Sequence, residues 1–257
     1  MQLGNMPKIK GILVVCLVLL VFAFSIWHKK NENLKNEAET ILNEVYKKYK
    51  LLNSYYDEGI IHAFPHGRIL NFKTKLMKPN SLFLFESGFF SGQNVFVWGS
   101  NATFSCFIQA KNGDPLSYTF FGDLQTLSKG FLAPSELLSC IPSIFFPNSK
   151  IYFSIWGIKN YGPIEIMDYN GRKCIKIEIY PHEWIRVSFL IEKDTHKILQ
   201  FKFCRARSAA RFEKKVLYYL KDDYYVADYL IDFTKVEFNP NFINADFLPQ
   251  IKSNAEK

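Results

Sequence analysis

Apolar and polar residues alternate strictly over much of this chain, and that alternation constrains its fold more than any other feature. From Lys173 to Tyr180, Ile175, Ile177 and Ile179 fall on one side, with Lys176 and Glu178 on the other. Trp184 to Ile191 sets Ile185, Val187, Phe189 and Ile191 against Arg186 and Ser188. Asn71 to Met77 sets Phe72, Thr74 and Leu76 against Lys73 and Lys75. A two-residue period is the signature of a strand with one buried face. The same reasoning predicts strands over residues 57–63, 81–86, 94–98, 102–109, 117–121, 198–204, 215–221 and 224–238. Turn signals separate them, among them Phe64-Pro65-His66-Gly67, Lys78-Pro79-Asn80 and Lys193-Asp194-Thr195. Asn239-Pro240 ends the sheet, and Phe247-Leu248-Pro249 forms an apolar tail.

Helical periodicity is confined to two regions. Ala38, Ile41, Leu42, Val45 and Tyr49 recur at three- and four-residue steps, which predicts an amphipathic helix over residues 37–49. Residues 123–128 and 134–141 read as short helices, with Pro134 suited to a first helical position. Residues 151–156 fit either a strand or a buried helix end. Antiparallel strands with helices in only part of the chain indicate an α+β fold. A sheet with one apolar face needs a cover. The expected architecture is a curved antiparallel sheet with helices over its concave side. No linker or internal repeat divides residues 31–257, so they are expected to form one domain.

Residues 1–30 form a targeting segment. Gly11 to Trp27 carries no charge, Lys8 and Lys10 precede it, and His28-Lys29-Lys30 follows. That is the pattern of a secretory signal or an uncleaved signal anchor. As a helix, these residues would span roughly 25 Å, and flanking lysines can reach the headgroups of a ~30 Å core. The expected location is extracytoplasmic: anchored to a membrane through residues 11–27, or free if the segment is cleaved.

Composition narrows the function. Phenylalanine occurs 25 times and aromatics make up 17% of the chain, enough to fill a core or line a pocket. The net charge of +8 is scattered and no nucleic-acid motif is present, so the excess fits an anionic membrane surface better than nucleic acid. Arg205, Arg207, Arg211, Lys214 and Lys215 form the densest basic cluster, read as a solvated loop or a docking site. Cys106, Cys140, Cys174 and Cys204 allow three disulfide pairings, and no pair has zinc-ligand spacing.

No residues point to catalysis, a metal or a cofactor. His62 and His66 are four apart but flank a turn, and Ser91 lacks the nucleophile-elbow context. The carboxylates form no defensible acid–base pair. The sharper candidates are apolar. Phe72, Leu76, Phe83, Phe85, Phe96 and Trp98 are expected to share one sheet face, as packed core or as a ligand-facing wall.

The layout resembles the LolA-like superfamily of lipoprotein-localization proteins, which includes a periplasmic carrier and a sigma-factor regulator. The likeness is carried by residues 39–49 with Leu52-Asn53-Ser54-Tyr55, by the run 72–83 around Lys78-Pro79-Asn80, and by the closing segment 239–249. The resemblance implies an incomplete β-barrel closed by a helical lid, its cavity holding acyl chains or an apolar peptide. In the carrier an arginine beside the Pro-Asn turn latches the lid. Lys78 occupies that position here and lacks the planar fork. The implied function is non-enzymatic binding of an acyl chain or lipoprotein. The alternative is a membrane-tethered sensor or interaction domain of the regulator type. That branch looks two-domained, which makes it the second choice.

Overall fold

The computed structural model describes residues 22, 29, 32–33, 35–64, 67–78, 81–89, 93–100, 103–109, 116–121, 160–182, 185–206 and 225–249. Eleven strands make up one sheet: β1 (Ser54–Ala63), β2 (Arg68–Met77), β3 (Ser81–Phe89), β4 (Gln93–Ser100), β5 (Thr103–Gln109), β6 (Leu116–Phe121), β7 (Asn160–Tyr169), β8 (Arg172–His182), β9 (Ile185–Glu192), β10 (Ile198–Ala206) and β11 (Tyr225–Phe238). Their order is β6-β5-β4-β3-β2-β1-β11-β10-β9-β8-β7, with β6 and β7 at the edges. Every pairing is antiparallel. The expectation of a large antiparallel sheet holds, and the sheet is open.

Among the described residues, one long helix, α1 (residues 35–51), packs on the sheet. It forms where the sequence places an apolar stripe. Ala38, Leu42, Val45 and Tyr49 are all buried in the core cluster. Burying Leu42 and Val45 contributes about 1.5–3 kcal/mol each before ordering costs. Tyr49 ties the helix to the sheet. Its ring meets Tyr55 of β1 and Phe238 of β11 at centroid distances of 5.5 and 5.1 Å. Its hydroxyl accepts the Ile198 N–H of β10 at 3.0 Å. Tyr161 of β7 donates to Glu39 at 3.3 Å. The predicted helices over 123–128 and 134–141, the segment 151–156 and the strand over 215–221 lie outside the described residues.

Register decides which side chains share a face. Tyr55 opposes Leu76, Asp57 opposes Thr74, and Gly59 opposes Phe72. Leu76 opposes Leu82, Leu82 opposes Gly99 two residues from Val97, and Val97 opposes Cys106. These residues therefore line the helix side, called the inner face. Ile231, Phe201, Phe189 and Ile177 continue it across β11, β10, β9 and β8.

The same register corrects the aromatic stripe. Lys75, not Leu76, opposes Phe83, and Lys73 opposes Phe85. Phe83 and Phe85 oppose Trp98 and Phe96 in turn. Phe72 and Leu76 thus lie on the inner face, while Phe83, Phe85, Phe96 and Trp98 lie on the outer face. Alternation within one strand sets that strand's two faces, but only pairing fixes which face matches its neighbour's.

The outer aromatic residues form a cluster of their own with Met77 and Phe107. Phe242 and Phe247 of the C-terminal segment cover it, and a short 3-10 helix, Asn244–Phe247, shapes that strap. The Lys75 ammonium donates to the Asp246 carbonyl at 2.7 Å and lies over the Phe83 ring at 5.3 Å. Asn239 starts the strap with φ of 54°, in the left-handed region, and its side chain accepts the Asn53 N–H at 2.8 Å.

Candidate functional site

The inner face is the candidate site. It runs as one apolar surface from Cys106 and Ile108 on β5 to Ile177 and Ile179 on β8. Helix α1 is tied to β1, β7, β10 and β11 by the contacts above, and β2–β5 lie further along the sheet. Of the predicted wall residues, Phe72 and Leu76 belong here, both fully buried. Phe72 meets Phe233 edge-on at 5.5 Å. Val95 of β4 and Ile108 of β5 were not singled out in the sequence, yet both are partly buried against this face. Their signal was the alternation of Val95 and Val97 with Phe96 and Trp98, which the larger aromatic residues obscured.

One charged group interrupts the apolar surface. Asp57 is 1% exposed. Its Oδ2 accepts the Tyr55 hydroxyl at 2.8 Å, and its Oδ1 has no hydrogen-bond partner. Burial pushes its carboxyl up to about 7, against the lowering pull of Tyr55 and the neighbouring Thr74. Burial also raises the Tyr55 hydroxyl, and the Asp57 charge adds to that rise. Near neutral pH this carboxyl exchanges a proton inside an apolar wall. Its charge is therefore open to shift by a ligand or by pH near neutrality.

Lys78, the implied latch, sits at the helix end. Its ammonium donates to the Lys50 carbonyl, and its N–H donates to the Asn53 carbonyl at 2.9 Å. The last carbonyls of a helix lack intrahelical donors, and a cation there complements the helix dipole. A point charge suffices for one carbonyl, so the missing guanidinium fork is no obstacle to this contact.

The outer face carries a groove of its own. With a volume of about 480 Å³, it crosses β7–β10, lined by Glu165, Lys176, Glu178, Arg186, Lys202 and Cys204 among others. Lys176 bridges Glu165 and Glu178 at 3.3 and 3.2 Å. Burial pulls its ammonium down, but the two carboxylates outweigh that and its pKa rises. Alternating, paired charges suit a hydrated surface rather than an acyl chain.

The remaining candidates resolve locally. Cys106, Cys174 and Cys204 are buried free thiols, and burial pushes the Cys106 thiol up to about 11. Cys140 lies outside the described residues, as do Arg207, Arg211, Lys214, Lys215, Ser91 and His66. Arg205 holds Asp228 with two hydrogen bonds, 2.5 and 3.0 Å. His62 faces Asp232 at 3.5 Å. Apart from Phe22, the segment 11–27 is outside the described residues, among which no helix is long and apolar enough to cross a membrane.

No family model matches the sequence, and no curated protein matches it. Solved structures do. MucB aligns over 83% of this chain and 63% of its own, at 10% identity and a TM-score of 0.45. This chain thus spans less than two thirds of that structure's length. LprF from Mycobacterium bovis aligns over 81% of this chain and 95% of its own, at 10% identity and a TM-score of 0.42. The LolA superfamily protein NE2245 from Nitrosomonas europaea aligns over 82% and 97%, at 10% identity and a TM-score of 0.31. At these identities and scores the matches carry no argument about function. A LolA superfamily protein is among the solved structures to which this chain is similar.

Proposed function

We propose that this chain is a non-enzymatic binding module. It holds an acyl chain, alone or as part of a lipoprotein, against the inner face of its sheet. It works at the extracytoplasmic side of a membrane, with residues 11–27 as export signal or anchor. The sheet is then the wall of an incomplete barrel, with α1 as its cover and Lys78 holding the end of α1.

The observation that carries this reading is the continuity of the inner face. A surface of Phe, Leu, Ile and Val runs through an open sheet, well past the strands to which α1 is tied. Phe72, Leu76, Val95 and Ile108 are the residues on which an acyl chain would lie.

Neighbouring positions on β5 supply the test. Ile108 lies on the inner face and Phe107 on the outer. A carboxylate at Ile108 would have to be desolvated against the acyl chain, at several kcal/mol. Ile108→Asp should abolish uptake of a fluorescent fatty acid, and Phe107→Asp should leave it intact in folded protein. Uptake lost equally in both, or in neither, would remove the inner face from the site.

A further inference from the structure

Three large apolar side chains stand out on α1 and on the strap whose start is pinned beside the end of α1. Leu51, Ile243 and Leu248 are 79%, 67% and 59% exposed. Leu51 is the last residue of α1, and the exposed Lys47, Lys48 and Lys50 precede it. Lys78, just past the end of β2, reaches the same helix end. Ile243 and Leu248 flank the 3-10 helix of the strap. Hydrogen bonds pin the strap to this end: Asn53 N–H to Asn239, and the Ser54 hydroxyl to the Pro240 carbonyl at 2.6 Å.

Lysines outnumber acids at this end, where Glu237 is paired with Lys235 at 3.0 Å. Residues 45–56 and 238–245 contain no acid. The Asp246 carboxylate is turned back onto the Ile243 N–H at 2.8 Å. Burial lowers the Lys78 pKa, and the like charge of Lys50 lowers it further, so cations crowd here.

We propose that this end docks on an anionic lipid surface. The lysines meet the headgroup phosphates, and Leu51, Ile243 and Leu248 enter the headgroup–acyl boundary. Exposed aliphatic residues set among lysines match an interfacial site. The core of a protein interface, by contrast, is depleted in lysine. Docking brings the inner-face end at Tyr55 and Leu76 to the lipid. The proposal does not depend on what the inner face binds.

The test uses the full chain bound to vesicles of phosphatidylcholine, with or without one-third phosphatidylglycerol. Amide hydrogen exchange is followed over residues 46–53 and 240–248. Expected is slower exchange of both segments on the anionic vesicles only, reversed by high salt. The neutral triple substitution Lys47→Gln, Lys48→Gln and Lys50→Gln should weaken this docking by on the order of 100-fold, about fivefold per lysine. The salt reversal needs no variant, so a folding defect would not hide the answer. Equal exchange on both vesicle types would overturn the proposal, as would protection that survives high salt.

Discussion

The Tyr55 hydroxyl donates to Asp57 Oδ2 at 2.8 Å in the middle of the apolar inner face. The buried carboxyl titrates near 7, far above its usual 3.8. The folded state therefore keeps its proton to higher pH than the unfolded chain. The stability this group contributes is complete below pH 3.8, declines as pH rises, and is lost above about 7. Asp57→Asn keeps an acceptor for Tyr55 but cannot titrate. The difference in urea midpoint between variant and parent should grow from acid to mildly alkaline pH, in favour of the variant. A difference that stays constant with pH would refute the assignment.

Gly59 marks a bulge where β1 shifts register against β11. A Cβ there would stand 2.0 Å from the Asp232 carbonyl and 2.9 Å from the Phe72 ring. Backbone cannot give way as a side chain can. Gly59→Ala should cost at least ~2 kcal/mol in chemical denaturation. A neutral result would mean that the bulge is absent in solution.

Lys73 within β2 and Lys78 just past its end differ in consequence. Lys78 caps a helix carbonyl. Lys73 pairs with Glu58 at 3.3 Å while 40% exposed. Lys78→Met should cost about 1 kcal/mol and speed amide exchange in the last turn of α1. Lys73→Met should cost under about 0.5 kcal/mol. Equal costs would contradict the capping role.

Phe247 is the buried residue of the strap and meets Phe242 edge-on at 5.4 Å. Truncating a packed phenylalanine costs about 3–5 kcal/mol, but detachment of the strap limits what the whole fold can lose. Phe247→Ala should therefore release residues 240–249 in hydrogen exchange while the strands stay protected. Fatty-acid uptake should persist, because the strap lies on the outer face. Loss of uptake would place cargo on that face instead.

Most strands were legible because a two-residue period survives in single segments such as residues 173–180. β7 was not. It contains Gly162 and Pro163, residue types that weaken a strand pattern, yet β7 is an edge strand with irregular pairing between Tyr161 and Ile164, where proline is tolerated. Its available signal was Asn170-Gly171, whose φ values of 54° and 75° build the tight turn into β8. The split of the aromatic stripe was beyond local reading. Phe72 and Phe83 differ in face because Met77 pairs with Ser81. Asp57 was unremarkable in sequence because its burial depends on β2, β11 and α1 together.

Cargo binding is tested most directly by native mass spectrometry of the protein extracted from its own membrane. The parent should emerge with an acyl-bearing species bound, identifiable by its mass after release, and Ile108→Asp should emerge without it. A parent that always emerges empty, and takes up no fatty acid when offered one, would contradict an acyl-binding inner face.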